Sequence, residues 1–146
     1  MKTNKIIIIA EVGVNHNGDI KLAKKLIVEA KKAGADFVKF QSFVPEKMVT
    51  VSAKKANYQN KFTSKKLTHF LMLKKLQLSY IDQEKLFNFA KKKKIGFLSS
   101  PFDLESANFI LSLNIPYIKI PSGEITNLPL LEFIASKKNL LSYQQA

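Results

Sequence analysis

The sequence contains no cysteine and no arginine. Without cysteine there is no disulfide, no thiolate nucleophile and no cysteine-ligated zinc, so any metal must be held by His, Asp or Glu. No stretch approaches the roughly 20 consecutive apolar residues that a membrane-spanning helix requires. Met1 to Ala10 has neither the length nor the small-residue cleavage site of a signal peptide. These absences point to the cytoplasm. The missing arginine bears on the formal charge of +13, because all 24 basic residues are lysine. A charge of that size ordinarily suggests nucleic acid, through counterion release at phosphates. Arginine is the residue suited to bidentate readout of guanine and phosphate, so its absence weakens that reading. An AT-rich coding sequence accounts for the lysine bias without any partner. The run Lys91 to Lys94 then reads as the solvated last turn of a helix, where cations complement the macrodipole.

What is present is a chain of 146 residues with 46% apolar content, enough for one domain with a buried core. Strands and helices alternate along it. Ile6 to Glu11 is a continuous apolar run ending in an acid and entering the Gly/Asn loop Gly13 to Asp19, the pattern of a buried parallel strand. A helix follows, with Leu22, Leu26, Ile27, Ala30 and Ala33 at helical spacing, lysines on the other side, and Gly34 as its stop. Asp36 to Gln41 is a second strand. Residues 42–78 form an elaborated loop, with Pro45, a polar stretch around Lys54 to Asn60, and a helix from about Leu67 to Leu76. Ser79 is an N-cap for a helix whose inner face carries Leu86, Phe89 and Ala90. Ile95 to Ser99 is a third strand, Asp103 caps the next helix, Ile115 to Ile120 is a fourth strand, and a last helix covers Leu128 to Ser136 before a ragged tail.

Successive βα units without hairpin signals argue for a parallel sheet covered by helices. An open Rossmann-like sheet fits this as well as a barrel. The placement of polar residues favours the barrel, whose chemistry lies at the C-terminal ends of the strands. The strands end in Glu11, in Lys39 and Gln41, in Ser99 and Ser100, and in Lys119 with Ser122 and Glu124 just beyond. Alternation along a strand puts Phe37, Lys39 and Gln41 on one face, with Ile7, Ile9 and Glu11, and with Tyr117 and Lys119. Ile8, Ala10, Val38, Phe40, Ile118 and Ile120 are left to pack under the helices. An ionised lysine within a strand core is costly unless an anion or hydrogen bonds compensate it. Lys39 and Lys119 either pair with Glu11 and Glu124 or receive an anionic ligand; a small carboxylated phosphate ester meets the same electrostatic requirement.

Four segments carry a resemblance: Glu11-Val12-Gly13-Val14-Asn15-His16-Asn17-Gly18-Asp19, Val38-Lys39-Phe40-Gln41, Ser99-Ser100-Pro101-Phe102-Asp103, and Lys119-Ile120-Pro121-Ser122-Gly123-Glu124. In order and spacing, over roughly residues 5–136, they resemble the bacterial sialic acid synthase family. The resemblance implies a TIM-type (β/α)8 barrel and an enzyme that joins phosphoenolpyruvate to the open-chain aldehyde of an N-acylated amino sugar. N-acetylmannosamine and diacetamido-dideoxy sugars both qualify as that sugar. The product is a nine-carbon 2-keto acid, and phosphate is released. By position, Lys39, Ser100, Lys119 and Ser122 would hold the carboxylate and phosphate of phosphoenolpyruvate, while Glu11, Gln41, Phe102 and Glu124 would line the sugar site. Glu11, Lys39 and Lys119 are the candidate catalytic residues. Ser100 stands where many members have threonine, which preserves the hydroxyl. The resemblance also implies a divalent manganese or magnesium ion held by two histidines on later strands. His16 then braces the first loop, His69 has no partner histidine, and Tyr58 and Gln59 lie near the site or on an ordinary surface loop. A homodimer is implied too, with a C-terminal antifreeze-like domain reaching over the partner's active site.

A complete barrel of this type takes about 250 residues, so the chain reads as four βα units, the N-terminal half. The second half, its metal-binding histidines and the antifreeze-like domain are expected to be absent. Beyond Lys138 the family has a strand resembling Ile-Ile-Leu-Ser-Thr-Gly-Met. One permissible codon set for Leu140 to Ala146, read two bases later, encodes Ile-Ile-Leu-Ser-Thr-Gly, so a frameshift near Asn139 is expected, with 139–146 as the shifted tail. Metal-dependent turnover by this chain alone is not expected, and exposed sheet edges predict self-association or poor solubility. Two other readings compete: a non-catalytic fragment that still docks phosphoenolpyruvate, and a basic nucleic-acid-binding module. The second has charge but neither arginine nor an RNA-binding motif.

Overall fold

The computed structural model describes residues 6–53, 68–137 and 141–143. Lys54 to Asn60, with Tyr58 and Gln59, and Asn139 lie outside the described residues. The strands are β1 (Ile9–Gly13), β2 (Phe37–Ser42), β3 (Gly96–Pro101), β4 (Ile118–Ile120) and β5 (Leu141–Tyr143). The helices are α1 (Ile20–Lys32), α2 (Pro45–Met48), α3 (His69–Leu76), α4 (Tyr80–Lys92), α5 (Leu104–Ser112) and α6 (Leu128–Ser136).

Each long helix begins where a short polar side chain captures a free backbone N–H. Asp19 accepts from Lys21 at 2.6 Å, Ser79 from Asp82 at 3.1 Å, Asp103 from Ser106 at 2.8 Å and Asn127 from Leu130 at 3.3 Å. Apolar residues at helical spacing then meet the sheet: Ala23, Ile27 and Ala30 of α1, Leu86 and Ala90 of α4, Ala107 and Ile110 of α5, Leu130 and Ile134 of α6. They close over Val38, Phe40, Phe97, Ile118 and Ile120 to make one core. Burying a side chain the size of Ile27 or Leu86 contributes about 1.5–3 kcal/mol, so this layer carries most of the stability.

All strand pairs are parallel. β1, β2 and β3 ladder in chain order, β4 ladders with β5, and β3 lies beside β4. Every crossover advances one position in the same direction. Right-handed crossovers of that kind put all the helices on one face, whereas a doubly wound sheet reverses direction at a switch point. The described strands form a parallel α/β arrangement with no switch point among them. Among the described residues the strands do not close into a ring.

Several expected boundaries move. β1 starts at Ile9, not Ile6, and continues to Gly13. Ile8, expected beneath the helices, is 55% exposed; it precedes the edge strand β1, which among the described residues has β2 on one side only. β4 shrinks to Ile118–Ile120, although Ile115 is buried. The helix expected from Leu67 starts at His69, capped by Thr68. Within the supposed tail, Leu141 pairs with Ile118 and Tyr143 with Ile120. A backbone ladder on the open edge of β4 requires only N–H and C=O groups, which no side-chain pattern announces.

Candidate functional site

The register sets the site. Glu11 lies opposite Lys39, Lys39 opposite Leu98, and Gln41 opposite Ser100. Residues in register on parallel strands point to the same face, and Val38, Phe40 and Phe97 fill the helix side. Glu11, Lys39, Gln41 and Ser100 therefore share the face opposite the helices at the C-terminal ends of the strands, where the alternation had put Glu11, Lys39 and Gln41. Phe37 and Tyr117 meet edge to face, with centroids 6.0 Å apart, near the strands' other ends. Gly96 leaves the room, since a β-carbon there would overlap the Phe37 ring.

Lys39 is buried, and its ammonium pairs with the Glu11 carboxylate, which is half exposed. The register slips between Glu11 and Gly13, and Gly13 adopts φ +54°. A β-carbon at Gly13 would stand 3.3 Å from Glu11 Oε1 and 3.7 Å from Gln41 Nε2. The bulge and its glycine thus let the strand pass close to both polar groups. Lys119, on β4, is pushed below the ordinary lysine range, first by burial and then by the neighbouring Lys39 charge, with Glu11 acting in the opposite sense. Glu11 pairs with Lys39, and the charges of both act on Lys119. Ser100 is 2% exposed and its hydroxyl has no hydrogen-bond partner among the described residues. A buried hydroxyl in that condition is costly unless something is bound to it. The cluster therefore carries surplus positive charge and a free donor on one face, the setting for a small anion.

The structure divides the remaining candidates. Phe102 stands at the mouth, its ring edge-on to Phe43 and its N–H bonded to the Ser42 carbonyl at 3.1 Å. Ser122 and Glu124 sit on the 3₁₀ turn Ser122–Glu124 after β4. Ser122 is exposed there, and Glu124 accepts from Asn127 Nδ2 at 2.7 Å. The pairing alternative thus holds for Lys39 with Glu11, while the charges that act on Lys119 are Lys39 and Glu11. Ser99, read as one of the polar strand ends, points to the helix side. It bonds Ser42 at 2.7 Å, and Ser42 bonds Gln83. Sequence reasoning overlooked Gln83, which resembles a surface residue on a helix. Its spacing of three from Leu86 was the available signal.

His16 braces the loop after β1, as expected. It is 1% exposed, its ring lies 6.0 Å from Phe40, and its Nδ1 accepts from the Gly18 N–H at 3.0 Å. Burial holds its pKa below the usual 6.5, with the Gly13 backbone acting weakly the other way. An imidazole with a lowered pKa binds fewer protons folded than unfolded, so stability is full above about pH 6.5 and falls as pH drops toward the folded value. Urea unfolding of the protein and of His16→Asn at pH 7.5 and 5.5 is expected to show this loss only in the unsubstituted protein. Equal losses in both would remove His16 as the cause.

The metal implied by the resemblance does not fit what is described. Among the described residues no three His, Asp or Glu side chains converge to hold an ion, and His16 has committed Nδ1 to Gly18. Also among these residues, no helix is long and apolar enough to cross a membrane.

The model of the NeuB family matches residues 26–142. The chain belongs to the NeuB family. It is 53% identical over 140 residues to the N,N'-diacetyllegionaminic acid synthase of Campylobacter jejuni, covering 94% of this chain and 42% of that protein. It is 49% identical over 131 residues to the Legionella pneumophila enzyme of the same name, covering 90% of the chain and 37% of the relative. This NeuB chain thus spans well under half the length of these relatives. Among solved structures, the N-acetylneuraminic acid synthetase of Leptospira borgpetersenii in complex with citrate superposes with a TM-score of 0.77 at 30% identity, over 96% of this chain and 44% of that one. A truncated 3-deoxy-D-arabino-heptulosonate 7-phosphate synthase from Thermotoga maritima, 12% identical, shares the fold at a TM-score of 0.61.

Proposed function

We propose that this chain supplies the phosphoenolpyruvate-binding half of a cytoplasmic sialic-acid-type synthase whose acceptor is a diacetamido sugar. The observation that carries the proposal is the cluster in which Lys39, paired with Glu11, lies close enough to Lys119 to depress its pKa, with the unpartnered Ser100 hydroxyl on the same face. Phosphoenolpyruvate brings a carboxylate and a phosphate on three carbons, enough charge for both lysines. Ser100 and Ser122 add hydroxyl donors. Held this way, its methylene carbon is oriented toward an aldehyde lodged among Glu11, Gln41, Phe102 and Glu124. The new C–C bond joins that carbon to the aldehyde carbon. The aldehyde oxygen takes up a proton and becomes a hydroxyl, and water adds at the phosphate-bearing carbon. The bond between that carbon and the bridging oxygen breaks, so phosphate departs with the bridging oxygen and the water's oxygen, losing its protons, becomes the 2-keto oxygen. The lysines compensate charge throughout. The 53% and 49% identities to two diacetyllegionaminic acid synthases favour a diacetamido acceptor over N-acetylmannosamine.

The test is phosphate release from phosphoenolpyruvate with manganese and either sugar. It compares this chain with a version extended after Lys138 by the corresponding remainder of the Campylobacter jejuni relative. Release by the extended protein, faster with the diacetamido sugar, is the expected result. Release by neither, with either sugar, would overturn the assignment. Release by this chain alone would show that the half suffices.

Lys119 also predicts a pH dependence. An anion favours the charged lysine, so affinity is constant while free Lys119 is protonated. It then falls up to tenfold per pH unit once pH exceeds the depressed pKa. Titration calorimetry across alkaline pH should show the decline setting in earlier than an ordinary lysine would allow. Lys119→Arg, which keeps its charge, should flatten it. An unchanged profile in that variant would point to another group.

A further inference from the structure

We propose that Gln83 is a positioning residue that holds the ligand-facing ends of β2 and β3 in place from beneath the sheet. The inference rests on the reading of Gln41 and Ser100 as ligand contacts. Gln83 occupies the inner face of α4 with Leu86 and Ala90 and is 1% exposed, a place where packing alone would favour an apolar side chain. Its Oε1 accepts from Ser42 Oγ at 2.5 Å and its Nε2 donates to the Leu78 carbonyl at 3.1 Å. The Leu78 carbonyl can only accept, which fixes the amide orientation. Ser42 has one proton and gives it to Gln83, so at its 2.7 Å contact with Ser99 it accepts. The bonds therefore run in one direction, from Ser99 on β3 to Ser42 on β2, to Gln83 on α4, to the carbonyl at Leu78. Both serines are fully buried.

These serines are the chain neighbours of the site. Ser42 follows Gln41, Ser99 precedes Ser100, and Gln41 and Ser100 are in register. Adjacent residues of a strand point to opposite faces, so Gln83 grips the undersides of the two peptides whose upper sides carry Gln41 and Ser100. The Ser42 carbonyl also accepts from the Phe102 N–H, which ties a third site residue to the same point. If Ser42 or Ser99 rotates, the side chain on the opposite face must move. Apolar residues could fill this volume with equal stability; what the directional chain adds is one fixed orientation.

The test uses Gln83→Leu, Ser42→Ala, and the triple variant Ser42→Ala/Ser99→Ala/Gln83→Leu, with Ile134→Val as a control that loosens the core under α6. Readouts are thermal unfolding, the NMR positions of the Gln41 side-chain amide and the Ser100 backbone amide, and phosphoenolpyruvate affinity. The single variants are expected to lose stability, shift both resonances and weaken binding about tenfold. The triple variant removes every unpaired partner, so it should regain stability while both resonances stay displaced. Ile134→Val should lose stability without displacing them. Unmoved Gln41 and Ser100 resonances in folded Gln83→Leu or in the triple variant would overturn the positioning role. If the unsubstituted chain binds no phosphoenolpyruvate, the functional reading falls, and the resonances still decide the role of Gln83.

Discussion

Lys39→Met is expected to weaken phosphoenolpyruvate binding about 100-fold, roughly 3 kcal/mol, while leaving the fold in place. The loss is large because Lys39 is the more buried of the two cations and sits between Glu11 and Lys119. The fold survives because methionine is close to lysine in length and flexible enough to pack in its place, and Glu11, half exposed, regains water when its partner goes. Glu11→Gln supplies the opposite sign. It releases Lys39 from its internal carboxylate, so the anion no longer competes for it, and binding of phosphoenolpyruvate alone should tighten. Calorimetric titration of both variants, with melting curves for integrity, checks the pair. Affinity within threefold of the parent in Lys39→Met would reduce Lys39 to a counter-ion for Glu11.

The second large effect concerns stability. Gly18 adopts φ +77°, and a β-carbon there would overlap the Lys75 carbonyl oxygen near the end of α3. Neither can yield: the oxygen is backbone, and the loop is pinned by the Gly18 N–H on His16. Gly18→Ala should cost about 3 kcal/mol, the sum of a left-handed penalty and a steric one, or roughly 6–12 °C in melting temperature for a chain of this size. Gly34 has φ +85° with open space around it, so Gly34→Ala should cost only about 1–2 kcal/mol. Equal melting temperatures for the two variants would show that the loop moves off α3 freely. The contact has a further role. Together with the bond from Gln77 Nε2 to the Phe43 carbonyl at 3.3 Å and the Lys74–Glu46 ion pair at 2.5 Å, it moors the α2–α3 region to the loops that frame the lysine cluster.

Much of this was legible in the residues. The caps Asp19, Ser79, Asp103 and Asn127 are short polar side chains just before apolar periodicity, a local signal. Lys39 and Glu11 were recognisable because a charge inside an apolar strand demands an explanation within a few residues. Gln83 was not, because a glutamine on a helix is ordinary until its burial is known. Ser99 and Ser100 could not be told apart either; being adjacent and identical, they differ only in which face of β3 each one meets.

The amino-acid sequence by itself determined the alternation of strands and helices and the charged and polar residues placed near the C-terminal ends of the strands. All of these follow from patterns within a dozen residues. Only the tertiary structure decided that every crossover advances the same way, that Lys119 comes under the charge of Lys39 and Glu11, and that Ser100 turns away from the helices while Ser99 bonds toward α4. Those outcomes depend on register between strands far apart in the chain, where a slip of one residue turns every side chain to the other face.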